Sequence, residues 1–448
     1  MGSSVKSIRI GAGAGYSGDR IDPAVELAAK GSIDYLVFEC LAERTIALAQ
    51  KAKRLDPKAG YDPLLEERME AVLPICAEQR IRIVSNMGAA NPAAAVDKTR
   101  QVAEGLGLRG LRITAVSGDD VLAAVRDGDF RFVENGRPVK ELGEKLISAN
   151  AYLGAAAIVE ALGAGADVIL TGRIADPALF LAPMIHEFGW SMENWDLLGQ
   201  GTVIGHLLEC AGQLTGGYFA DPGWKDVPNL ARLGFPIAEM AADGSAVMTK
   251  VEGSGGLINK ATCTEQLLYE IQDPSAYLTP DVVADFSHVT IEEVGRDRVR
   301  VFGGRGKPKP ETLKVSVGFQ DGYVGEGQIS YAGPGALARA ELAREVLRER
   351  LGDYEISELR FDLIGVNSIH GELLSKKQCE PYEVRLRAAG RAETMKVATM
   401  IAREVEALYT NGPSGGGGVT GFTKERVAIL STLIPQAAAS YRIDYEVS

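Results

Sequence analysis

Three times in the first 180 residues a short apolar, β-branched run opens into a polar loop, reaches an acid or amide followed by proline, and continues as a helical pattern. The loops are GAGAGYSGDRIDP ending at Asp22-Pro23, SNMGAANP ending at Asn91-Pro92, and TGRIADP ending at Asp176-Pro177. Asp or Asn before a helix accepts a hydrogen bond from its free N–H groups. Proline in the first turn presets φ and lacks a donor that would have no partner there. Repetition of this unit is the signature of stacked βα elements with a parallel sheet, and parallel strands bring all their outgoing loops to one edge, where ligands bind in such folds. Strands are expected at Ser7–Ile10, Tyr35–Phe38, Ile81–Ser85, Leu111–Val116, Leu146–Ala149 and Val168–Thr171, six in parallel.

Beyond about Gly199 the pattern changes. Asp243-Gly244 separates the runs 237–240 and 246–250, Gly295–Asp297 separates 289–294 and 298–302, and Asp321-Gly322 falls within a third such segment. These are hairpin signals. Helices are expected over 261–271, 336–351 and 392–409, and a strand over 359–364. The 304–310 segment GRGKPKP reads as a surface loop, and TNGPSGGGGVTG over 410–421 is low in complexity, either an anion cradle or a flexible flap. The fold class that follows is α/β: a domain over 1–198 with a largely parallel sheet flanked by helices, then an α+β domain with antiparallel hairpins over 199–448.

Length and charge narrow the partners. A chain of 448 residues, 46% hydrophobic and 24% charged, can bury more than one core. Forty-eight basic against sixty acidic residues leave a net charge of −12, with no basic run, which speaks against nucleic acid and anionic membranes. No apolar stretch approaches the roughly 20 residues of a membrane span, and the start lacks a signal core, so a cytoplasmic location is expected. The five cysteines are scattered, with no CxxC, and the four histidines show no HxxxH spacing, so no metal site is predicted.

The loops then supply candidate residues. Gly13 to Gly18 matches GxGxxG, with Glu39 some 20 residues on, which resembles a dinucleotide fingerprint. In that fingerprint the helix starts within the glycine turn, whereas the cap signal here comes later, at Asp22-Pro23. Gly13, Gly15, Tyr16, Ser17, Asp19 and Arg20 carry more functional groups than a connector needs, which points to ligand contact. Glu39, at the end of the second strand, suits a general base or a cation ligand, or it pairs with Arg44 or Arg20 to fill a polar gap. Its neighbour Cys40 reads as a small core residue, since no histidine lies near it in sequence. Asn86, Asn150 and Arg173 sit at strand ends. Arg173 fits a carboxylate clamp or an ion pair with Asp176, and the two asparagines orient a carbonyl or brace loops. In the second half Lys260 stands at a helix start suited to anions, and His370, on the turn GVNSIHGE, is the best placed general acid or base among the histidines.

The segments IRIGAGAGYSGDRIDPAVELA, DYLVFECLAERTIALAQ, DVILTGRIADPALFLAPMIHEFGW and LLYEIQDPSAYLTPDVVADF together resemble the acyclic terpene utilisation protein A (AtuA) family, from about Ser7 to about Pro435. The resemblance implies a role in the catabolism of citronellol-type terpenes, with a branched carboxylic acid or its CoA thioester as substrate. It also implies a separate small partner subunit of about 100 residues. It assigns no catalytic residues, so the candidates rest on loop placement: Glu39, His370 and Asp19 for proton transfer, and Gly13, Gly15, Tyr16, Ser17, Arg20, Asn86, Asn150, Arg173 and Lys260 for binding.

The expected activity is a lyase, hydratase or hydrolase step by a homo-oligomer, with no cofactor named. The alternatives are an NAD(P)-dependent oxidoreductase using the glycine loop, or a non-catalytic acyl-CoA-binding or scaffolding subunit.

Overall fold

The computed structural model describes residues 6–375 and 380–448, so Cys379 lies outside the described residues. The chain forms two compact units, one of residues 1–318 with 429–448 and one of residues 319–428.

The first unit is built on a ten-stranded sheet. Its parallel centre holds β1 (Ser7–Ala14), β2 (Tyr35–Phe38), β3 (Arg82–Ser85), β6 (Val168–Thr171) and β4 (Arg112–Ser117) in that spatial order. Every residue of β2 and β6 is buried, as expected of strands with both faces covered. The helix Asp22–Lys30 buries Ala24, Leu27 and Ala28, and Leu65–Gln79 buries Met69, Val72 and Leu73. Those apolar stripes supply the cover.

Five parallel strands form rather than six. The run at 146–151, β5 (Leu146–Ala151), pairs outside this sheet with the strand Thr312–Ala332.

Antiparallel strands extend both sides. β7 (Pro236–Ala241) lies against β1, with Gly11 opposite Ile237. β8 (Ala246–Lys250) follows it through the Asp243-Gly244 turn, and then come the strands Arg298–Phe302 and Thr290–Gly295. The strand Arg442–Val447 covers the far edge by pairing with β4. The pairing of β7 with β1 is why residues 199–318 belong to the first unit, and why the 198/199 boundary expected from the change of texture does not divide the chain. Hairpin composition marks local turns but says nothing of which sheet the strands join.

The second unit packs the helices Ala336–Leu351 and Met395–Asn411 on antiparallel strands. Tyr323–Ala332 pairs with Glu383–Ala392, which pairs with Glu358–Ile364. Its core includes Ile329, Tyr331, Leu347, Leu386, Ile401 and Val405.

Several local expectations need correction. Asp321-Gly322 makes no hairpin: the strand runs from Thr312 to Ala332, and Gly322 passes through φ +72° within it. The loop at 304–310 contains the short strand Arg305–Lys307, and the glycine-rich stretch joins the strand Gly417–Pro435. Of the three expected caps only Asn91 acts as one, accepting from Ala94 N. Asp22 lies inside its helix, bound to Arg20, and Asp176 is drawn to Arg173. Nearby arginines compete for both carboxylates and outbid backbone N–H groups for them.

Candidate functional site

The parallel centre delivers the loops after β1 and β2 to the same edge. Because β7 runs the other way, the segment just before it, ending at Phe235, arrives there too. Together they enclose a cleft of about 580 Å³. Gly15, Tyr16, Asp19 and Arg20 come from the first loop, and Glu39, Leu41, Ala42 and Glu43 from the second. Asp176 comes from the loop after β6, and Glu209 and Cys210 from the end of the helix Trp195–Glu209. Leu230, Leu233 and Phe235 form an apolar side, and Tyr16 and Tyr218, 62% and 91% exposed, stand at the mouth.

Glu39 is the best-held functional group in the cleft. Only 8% exposed, it accepts from Asn86 Nδ2 and from Leu41 N, both at 2.8 Å and both on Oε1. Asn86 is fixed in turn, its Oδ1 accepting from Cys40 N at 2.7 Å. Burial pushes the Glu39 carboxyl up to about 7, and Glu209 adds to the rise. Arg173 and the two hydrogen bonds restrain it. Glu39 therefore changes protonation near neutral pH. It pairs with neither Arg44 nor Arg20; the latter bonds Asp22 and the Ala231 carbonyl.

The glycine loop takes its shape from a residue that sequence reasoning missed. Arg68, in the helix Leu65–Gln79 and fully buried, donates to the carbonyls of Ser17 (2.8 Å), Asp19 (3.3 Å) and Tyr16 (3.4 Å) and to Asp62 (3.2 Å). Ser17 bonds the same Asp62 through its hydroxyl. Asp19 accepts from Gly15 N at 2.9 Å and Arg20 N at 2.8 Å, and burial raises its carboxyl above the ordinary value. Glycine is required at 15 by close approach, since a Cβ there would sit 2.6 Å from the Cys210 carbonyl carbon. At 13 a Cβ would sit 2.7 Å from the Phe38 ring.

Arg173 does not line the cleft. It is 1% exposed, and its guanidinium donates to the Leu41 and Ile174 carbonyls and to Asp176 while stacking 4.3 Å over Tyr152. It ties the loop after β2 to the loop after β6. Asn150, also fully buried, donates to Asp119 at 2.7 Å; Asp119 also accepts from Arg173 N at 2.9 Å, and burial lifts it to about 6. Lys260 is exposed at the start of the helix Lys260–Leu268, its N–H bonded to Glu293. His370 lies exposed in the second unit. Neither residue lines the cleft.

Of the candidate residues, the structure therefore gathers Gly15, Tyr16, Asp19, Arg20 and Glu39 at the cleft, with Gly13, Ser17, Asn86 and Arg173 directly behind as supports. Cys40 is buried and touches Arg68, and burial pushes its thiol well above the usual range.

Glu43, Glu209, Tyr269 and Glu270 were not foreseen. Glu43 is held down to about 2: burial works to raise it, and the Tyr152 hydroxyl at 2.7 Å and Lys314 at 3.1 Å outweigh that. Glu209 had one readable signal, its i, i+3 spacing from His206 within GHLLEC on a helical pattern. Among the described residues no group of three or more His, Cys, Asp or Glu is arranged to hold a metal ion, and no helix is long and apolar enough to cross a membrane.

The model of the acyclic terpene utilisation family protein AtuA matches residues 8–445, nearly the whole chain. The chain belongs to that family. No curated protein matches it.

Proposed function

We propose that the protein is a cytoplasmic enzyme of acyclic terpene breakdown that transfers a proton at a carbon of a branched acyl-CoA thioester, in a hydratase or lyase step. One observation carries this reading: the Glu39 carboxyl, fixed on one oxygen and raised to about 7, in a cleft with an apolar side. A group that titrates near the working pH both accepts and donates protons effectively.

The charge of the cleft favours the thioester over the free acid. Asp19, Glu39, Glu43, Asp176, Glu209 and Glu270 line it against a single cation, Arg20, which Asp22 already engages. A substrate carboxylate would meet like charge, whereas a thioester presents a neutral carbonyl and leaves its phosphates outside. Leu41, Leu230, Leu233 and Phe235 suit a branched hydrocarbon. A small companion subunit and self-association belong to the same proposal.

The oxidoreductase alternative draws no support from the glycine loop. The helix begins at Asp22, beyond Gly18, and the Gly15 N–H is taken by Asp19, so the loop does not offer a pyrophosphate the helix N-terminus that the fingerprint requires.

The test is a panel of branched 2,3-unsaturated and 3-hydroxy acyl-CoA thioesters in D2O, with and without the companion protein, read by mass spectrometry. Deuterium incorporation or water addition, lost about 100-fold or more in Glu39→Gln with no fall in melting temperature, is expected. No reaction across the panel, or an unimpaired variant, refutes the reading.

A further inference from the structure

Glu209 enters the cleft from the end of the helix Trp195–Glu209 with its two oxygens in different states. Oε1 lies 2.8 Å from His206 Nδ1, while Oε2 is buried and has no hydrogen-bond partner. The other ring nitrogen, Nε2, lies 3.0 Å from the Gln266 backbone carbonyl. A carbonyl only accepts, so Nε2 carries a hydrogen. His206 is 1% exposed and wedged between Tyr277 and Phe286, with ring centroids at 5.7 and 5.5 Å, so the ring is held in this orientation.

With Nε2 spent on Gln266, Nδ1 and Oε1 at 2.8 Å need one proton between them, because two bare acceptors would repel. Whichever atom holds that proton, Oε2 is left with lone pairs only. A buried acceptor without a donor is costly, and a ligand that brings a donor relieves that cost.

We infer that Glu209 Oε2 is the recognition point for a hydroxyl group, or an attacking water, on the substrate, and that His206 is the positioning residue that turns it there. The inference rests on the proposed thioester chemistry and narrows its substrate class to 3-hydroxyacyl thioesters and their 2,3-unsaturated partners. In the hydration direction, water gives a proton to Glu209 Oε2 as its oxygen bonds the β carbon, and a proton held on Oε1 passes to His206 Nδ1, so that Glu209 ends with one proton. The C=C electron pair takes a proton from protonated Glu39 at the α carbon. Solvent then carries one proton from Glu209 back to Glu39. Glu209 acts electrostatically on Glu39, Cys210 and Tyr277, Glu270 acts on the latter two, and the nearest cation to this group is Arg173, which acts on Glu39.

The test compares the protein with Glu209→Met, which has no oxygen at that place, and His206→Phe. Binding of a branched 3-hydroxyacyl-CoA is measured against the same thioester lacking the hydroxyl. The wild type is expected to prefer the hydroxylated ligand about tenfold or more. Each variant is expected to lose that preference while keeping its affinity for the other ligand, a split that a merely structural role would not produce. An undiminished preference in Glu209→Met overturns the inference.

Two further measurements need no thioester. Nitrogen-15 spectra of His206 are expected to show a protonated Nε2 between pH 6 and 8, and a bare Nε2 overturns the inference outright. If neither thioester binds while the His206 spectrum is as expected, the thioester reading fails alone. The neutral methyl esters of the same branched acids, with and without the hydroxyl, must then show the same preference, and its absence overturns the inference.

Discussion

Replacing Glu39 by glutamine is expected to make the first unit more stable at alkaline pH while leaving it nearly unchanged in weak acid. The folded carboxyl titrates at about 7 against an ordinary 4.5, so between those values the folded state holds more protons than the unfolded one. Stability is therefore complete below about pH 4.5 and drains away as pH rises towards 7. Each pH unit across that interval costs about 1.4 kcal/mol, which sums to about 3 kcal/mol once Glu39 is ionised. Between pH 5 and pH 8 the difference is about 2–3 kcal/mol, because the unfolded carboxyl is already largely ionised at pH 5.

Glutamine keeps an oxygen to accept from Asn86 and Leu41 and has no charge to desolvate, so it escapes this loss. The assay is denaturant unfolding followed by tryptophan fluorescence, since Trp190, Trp195 and Trp224 all lie in the first unit. Asp119 and Asp281, also raised to about 6, are common to both proteins and cancel in the comparison. A variant-minus-wild-type difference that is the same at pH 5 and pH 8 would refute the claim that burial perturbs Glu39.

The supports around Glu39 give further expectations. Asn86→Ala removes a donor that stabilises the ionised form, so the Glu39 midpoint should rise above about 7, as read by carbon-13 titration; an unmoved midpoint counts against the role given to Asn86. Arg68→Ala strands Asp62 in the interior and releases the Ser17 and Asp19 carbonyls, at an expected cost of about 3–5 kcal/mol in unfolding experiments. Gly15→Ala drives a methyl into the Cys210 backbone and should cost about 1–3 kcal/mol, visible as a lower melting temperature. Cys40 should resist thiol reagents in the native protein and react only on unfolding, as burial raises its thiol.

How much of this was legible differs from residue to residue. Glu39, Asp19 and Gly15 could be placed at one edge from the strand–loop–helix rhythm alone, because a parallel sheet leaves its outgoing loops nowhere else to go. Arg173 was placed correctly at a strand end, yet its exposure could not be read: the same guanidinium serves as an exposed clamp or a buried tie, according to which carbonyls surround it. Glu209 and Arg68 lie on helices whose patterns say only that one face is buried. Their importance comes from Glu39 and from the Ser17 loop, 170 and 51 residues away along the chain.

The chain by itself determined the alternation of elements, the α/β class, the family and the edge at which the loops meet. All of these follow from local periodicity, turn chemistry and phrases contiguous in sequence. Only the tertiary structure decided that β7 and the strand Arg442–Val447 join the first sheet, that Arg173 is spent on backbone carbonyls, and that Glu39 is desolvated beside Glu209. Strand partnership and desolvation are both set by contacts between segments far apart in sequence, and no property of either segment alone fixes them.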